Sequence, residues 1–240
     1  MRRTIRVVLQ RLVLSLEFLL LVSLMACSGG GGGGSSTPAP TPTSTNIPFQ
    51  LFPTGYFSNG YTETYQLSGS DNVGDTFTGT LTSTTQAQTT YASQAAIPVQ
   101  SVITITNTQN QASFTDTGNE YYSTDPANLM YFGYTDAGDV FTYASLNVIP
   151  QTAMIGASGD YGTYTGSGTA TGYNDTISWK LTNANNGLAN VVVTDSTFFG
   201  STLDSSTTFT YVIDQQGNRQ RVTVAIYDVN SGVTITLTGN

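Results

Sequence analysis

From Ile47 onward, apolar and polar residues alternate in short runs. Val233-Thr234-Ile235-Thr236-Leu237 alternates strictly, the signature of a strand buried on one face. Thr76-Phe77-Thr78, Val102 to Thr106, Ile177-Ser178-Trp179, Val191-Val192-Val193 and Val222 to Ile226 are rich in β-branched or aromatic residues and predict further strands. Between them lie clusters that tolerate positive φ: Ser70 to Gly74, Asp136 to Gly138, Asn183 to Gly187, Gln216 to Asn218 and Asn230 to Gly232. About a dozen short strands at this spacing predict an all-β chain, either an antiparallel β-sandwich or a small soluble barrel-like meander.

One pattern recurs. Asp75-Thr76-Phe77-Thr78-Gly79-Thr80-Leu81-Thr82 aligns with Asp175-Thr176-Ile177-Ser178-Trp179-Lys180-Leu181-Thr182, 100 residues further on. Half-repeats over 56–119 and 160–240, joined by a connector 120–159, are the expected consequence. The second half carries about 20 extra residues, enough for an added hairpin.

The N-terminus has a different texture. Arg2, Arg3, Arg6 and Arg11 precede an apolar stretch from Leu12 to Ala26, too short for the roughly 20 residues of a spanning helix. Leu24-Met25-Ala26-Cys27 closes that stretch and resembles the lipobox of bacterial lipoproteins. The resemblance implies a signal peptide over 1–26, cleavage before Cys27, and diacylglycerol on the Cys27 sulfur with a further acyl chain such as palmitate on the new amine. Ser28, rather than Asp, follows the cysteine, which in Gram-negative lipoproteins points to the outer membrane. Residues 27–45 then read as a lipidated Cys and a Gly/Ser/Thr/Pro tether with a reach of roughly 25 Å, and 46–240 as the all-β domain.

Composition narrows the chemistry. The net charge is −8, and removing 1–26 leaves 3 basic against 14 acidic residues, a net of −11. Such a chain is repelled by phosphate backbones, so no nucleic-acid partner is expected. Histidine is absent and Cys27 is the sole cysteine. That removes Ser-His-Asp and Cys-His nucleophile systems and imidazole metal sites, and no cofactor is expected. Lys180, the only lysine, follows Trp179 in a predicted strand and is expected to face solvent.

Two acidic turns stand out, Asp71 with Asp75 and Asp136 with Asp139. Asp is ordinary in turns because its side chain bonds nearby amides. The same turns permit weak calcium binding, although neither matches the EF-hand pattern. As paired carboxylates they also keep a carbohydrate-active enzyme among the alternatives. The densest aromatic stretch, Tyr121, Tyr122, Tyr131, Phe132 and Tyr134, is the candidate ligand surface. Adjacent strand residues point to opposite faces, so one of each doublet is expected outside. The expected function is a non-enzymatic binding or structural module of the cell envelope, held to the membrane by its lipid and meeting a glycan or an envelope protein. The alternatives are a carrier of an apolar ligand or lipid, and the enzyme just named.

Overall fold

The computed structural model describes residues 47–240; the signal segment, Cys27 and the tether lie outside the described residues. The strands are β1 (Phe49–Gln50), β2 (Thr62–Asp71), β3 (Thr76–Thr85), β4 (Thr89–Tyr91), β5 (Gln94–Asn107), β6 (Ser113–Ser123), β7 (Tyr131–Asp136) and β8 (Asp139–Leu146). They continue as β9 (Thr152–Ala153), β10 (Ser158–Gly168), β11 (Tyr173–Asn185), β12 (Leu188–Phe199), β13 (Thr202–Ile213), β14 (Arg219–Asp228) and β15 (Val233–Gly239). The five turn clusters anticipated from the sequence all fall at junctions between successive strands, three of them overlapping a strand end.

Every pairing among these strands is antiparallel, and the order runs β3-β2-β15-β14-β13-β12-β11-β10-β8-β7-β6-β5. A further ladder, Phe77↔Asn107 to Thr85↔Val99, joins β3 to β5 and closes the ring. The result is a twelve-strand antiparallel barrel, not a sandwich. The physical difference is that closure leaves no unpaired sheet edge, whereas a sandwich has four.

Alternation separates the two faces. Val233, Ile235 and Leu237 are buried inside, opposite Asp228, Ile226 and Val224 of β14. The outward positions are largely threonine and serine, and they pair across strands. Thr64 meets Thr82 at 3.1 Å, Thr104 meets Thr115 at 2.9 Å, Ser145 meets Thr163 at 2.8 Å and Thr194 meets Thr208 at 3.2 Å. Each such pair stabilises the ladder by about 0.2–1 kcal/mol. Among the described residues no helix is long and apolar enough to cross a membrane.

Glycine admits close backbone approach between β3 and β5 and between β2 and β15. A Cβ on Gly79 would sit 1.9 Å from the Thr104 carbonyl oxygen, and one on Gly69 1.9 Å from that of Thr236.

β3 and β11, which carry the recurrent pattern, lie six strands apart around the ring in either direction. Phe77 and Leu81 in one, Ile177 and Leu181 in the other, all point inward and are buried. The neighbours differ: β5 lies directly beside β3, whereas β12 and β13 stand between β11 and β14.

The interior holds two apolar clusters. One gathers Tyr131, Tyr164, Trp179, Leu181 and Ile213. The other gathers Leu81, Ile103, Val222, Val224 and Leu237. Residues 47–61 fold across one mouth of the barrel. Gln50 N–H bonds the Gln215 carbonyl at 3.1 Å, Leu51 N–H that of Gln151 at 2.9 Å, and the Thr85 hydroxyl the Tyr56 carbonyl at 2.5 Å. β1 and β9 pair in this cap, and Phe49 and Leu51 are buried there.

Candidate functional site

The capped mouth brings the chain's aromatic residues together with a buried charge. Arg219 opens β14 just after the turn at Gln216 to Asn218. Between β13 and β14 the register shifts: Val212 pairs with Arg221, but Ile213 pairs with Arg219. One extra residue on β14 forms a bulge, and Arg219 turns inward while Arg221 stays exposed. The guanidinium lies 4.0 Å from the Tyr211 ring centre and 4.6 Å from that of Tyr56. Its Nη1 donates to Glu63 in an ion pair whose side chains are only 7% and 11% exposed. Glu63 also accepts from the Tyr65 hydroxyl at 3.3 Å.

Burial disfavours the guanidinium charge, but Tyr56, Glu63 and Tyr211 outweigh it, and Arg219 is held protonated beyond its ordinary range. Burial raises the phenols of Tyr56, Tyr161 and Tyr211 well above the usual tyrosine range, with Arg219 opposing in each case. Tyr122 is raised by burial and by the neighbouring Glu120, whose carboxylate accepts its hydroxyl at 3.1 Å.

Arg219 and Glu120 share a cavity of about 50 Å³, bounded by Phe52, Tyr56, Ser83, Ser101, Tyr161 and Tyr211 among others. That is room for about four waters. Arg219 Nε is buried and has no hydrogen-bond partner. A groove of about 500 Å³ shares Phe52 and Tyr56 with the cavity. It is lined by Phe52, Pro53, Tyr56, Phe57, Ile97, Pro126 and Leu129 among others. Phe52 and Tyr56 belong to both spaces and form the partition between them. The rings interlock: Phe52 lies 5.0 Å from Phe57 and 5.4 Å from Tyr56, and Phe57 lies 5.1 Å from Tyr122.

The five aromatics singled out in the sequence separate by face. Tyr122, Tyr131 and Tyr134 point inward and are buried. Tyr122 and Tyr131 line the inner cavity. Tyr134 stacks on Phe141 at 4.6 Å and donates to Asp175. Tyr121 and Phe132 point outward into a small external cluster with Tyr91. Tyr91 stacks on Tyr121 at 3.9 Å and donates to the Phe141 carbonyl at 2.8 Å. No single surface unites the five.

The acidic turns lie on separate hairpins, β2–β3 and β7–β8. Asp71 Oδ1 accepts the amides of Val73, Gly74 and Asp75 at 2.8–3.0 Å, a local turn arrangement. Asp136 and Asp139 are cross-strand partners, both buried, and Thr169 donates to Asp139. Among the described residues no group of three or more His, Cys, Asp or Glu converges to hold a metal. Lys180 faces solvent.

The residues that the sequence did not single out are Phe52, Tyr56, Phe57, Glu63, Glu120 and Arg219. Phe49 to Phe57 was a legible signal, four aromatics in nine residues. No protein-family model, curated protein or solved structure matches this chain.

Proposed function

We propose that the chain is a membrane-anchored lipoprotein of the cell envelope, and that its barrel is a non-enzymatic binding module with its site at the capped mouth. The lipid on Cys27 supplies the membrane attachment and the tether leaves the barrel free beside it. The observation that carries the binding reading is the groove beside Phe52 and Phe57. Its volume of about 500 Å³ falls within the 300–1,000 Å³ range of small-ligand sites. It has the usual composition of such sites, apolar and aromatic walls with a few polar groups nearby.

The runner-up, a carrier of an apolar ligand, draws support from the same Phe, Pro, Ile and Leu lining. A fluorescent apolar probe such as 1-N-phenylnaphthylamine separates the two. A carrier binds it strongly and releases it to competing fatty acid. A module for polar ligands does neither. Thermal-shift screening of the purified lipoprotein, with Phe57→Ala as control, tests the location. Phe57 is only half-buried, so its truncation is expected to remove ligand-induced stabilisation while lowering the unliganded Tm by only a few degrees. Stabilisation that survives in Phe57→Ala moves the site elsewhere.

A further inference from the structure

Resting on that reading, we propose that the groove takes a neutral glycan, with sugar rings lying on Phe52 and Phe57 and one hydroxyl-bearing arm reaching the cavity of Arg219 and Glu120. The inner cavity is a built polar site. It holds a guanidinium whose Nε is buried and unpartnered, together with the carboxylate of Glu120 and the hydroxyls of Ser83 and Ser101.

Charge selects the ligand class. Arg219 is already neutralised by Glu63, so Glu120 leaves the cavity with surplus negative charge. An anionic ligand would add like charge in a poorly solvated space. The cleaved chain, at −11, repels anions at long range as well. An apolar ligand would leave Arg219 Nε without a partner, a cost that buried polar groups impose in full. A hydroxyl suits both groups, because it can accept from a guanidinium N–H and donate to a carboxylate oxygen.

Size fits the same ligand. The cavity of about 50 Å³ displaces about four waters, comparable to one diol or hydroxymethyl arm. The 500 Å³ groove accommodates the rings behind it. Phe52 and Tyr56, which wall both spaces, must part slightly for the arm to enter.

The test is calorimetric titration of the full lipoprotein in detergent with maltotetraose, chitotetraose and mannotetraose. Sialyllactose serves as the acidic probe and 1-N-phenylnaphthylamine as the apolar one. The expected result is binding of at least one neutral tetrasaccharide, weakened about tenfold or more by Glu120→Gln and by Phe57→Ala. Glu120→Gln keeps the shape of the side chain, and Phe57→Ala alters only a half-exposed ring, so both variants are expected to remain folded. Preference for sialyllactose overturns the neutral-glycan assignment while the binding module stands. Binding of the apolar probe alone overturns it in favour of the carrier. Binding of none of the probes overturns the glycan assignment, leaves the cavity to water alone, and removes the support for the groove as a polar-ligand site. Neutral binding unaffected by Glu120→Gln overturns the role given to the inner cavity.

Discussion

The guanidinium carbon of Arg219 lies 4.0 Å above the centre of the Tyr211 ring, inside the barrel. A cation held over an aromatic face in a desolvated place gains on the order of 2 kcal/mol. The Glu63 ion pair adds Coulomb attraction, but desolvating both partners offsets much of it. The pair therefore contributes little net stability, yet breaking it is costly, because the remaining charge stays buried.

Arg219→Leu is accordingly expected to destabilise the barrel by about 3–5 kcal/mol, lowering Tm by roughly 10 °C. Arg219→Leu combined with Glu63→Leu is expected to regain the part of that loss due to the orphan charge, but not the part due to the Tyr211 contact. Thermal unfolding followed by circular dichroism checks both. Equal losses in the single and double variants would show that the two side chains are not coupled.

Closure of the ring at β3 and β5 depends on Gly79. A methyl group there meets the Thr104 carbonyl oxygen at 1.9 Å, and backbone cannot yield as a flexible side chain does. Gly79→Ala is expected to cost about 1–3 kcal/mol, like other overpacking changes. The outward Thr78→Ala is expected to stay within about 0.5 kcal/mol of the parent. Urea denaturation midpoints distinguish the two, and equal midpoints would show that the seam has slack.

Much of the strand content was legible in the sequence, and the reason is local. Val233 to Leu237 alternates because one face is buried, and Asn230 to Gly232 turns because Gly232 adopts φ +67°. Closure was not legible. It depends on β15 meeting β2 and β3 meeting β5, and period-two alternation is the same in a sandwich as in a barrel. Arg219 was hidden for a related reason. Two residues before Arg221, it would share that residue's outward face in a regular strand, and only the bulge against Val212 and Ile213 reverses it. Tyr122 and Tyr131 were singled out and do line the cavity, because the doublets had to split between faces. Their partners Phe52, Tyr56 and Phe57 come from a cap that has no strand period to reveal it.

Alkali should find the weak point of this interior. Burial raises the phenols of Tyr56, Tyr122, Tyr161 and Tyr211 above their unfolded values, Arg219 and Glu120 acting as secondary influences. A group whose folded pKa is raised contributes stability that is intact below its unfolded pKa and is lost as pH climbs beyond it. With the unfolded value near about 10, the barrel is expected to hold constant stability from neutral to about pH 10 and to lose it above. Phenolate absorbance, recorded alongside far-ultraviolet circular dichroism, should show these tyrosines ionising only as the strands melt. Complete ionisation with an intact barrel would contradict their burial.

The outer face of the barrel carries Thr and Ser ladders, and the proposed membrane attachment rests on Cys27. Membrane fractionation of the wild-type chain and of Cys27→Ala, with mass spectrometry of the N-terminal peptide, tests that assignment most directly. The predicted result is a wild-type protein in the membrane fraction whose N-terminal Cys27 carries diacylglycerol and acyl mass, and a Cys27→Ala protein released from it, uncut or miscut. A Cys27→Ala protein that stays membrane-bound with the same N-terminus would contradict it.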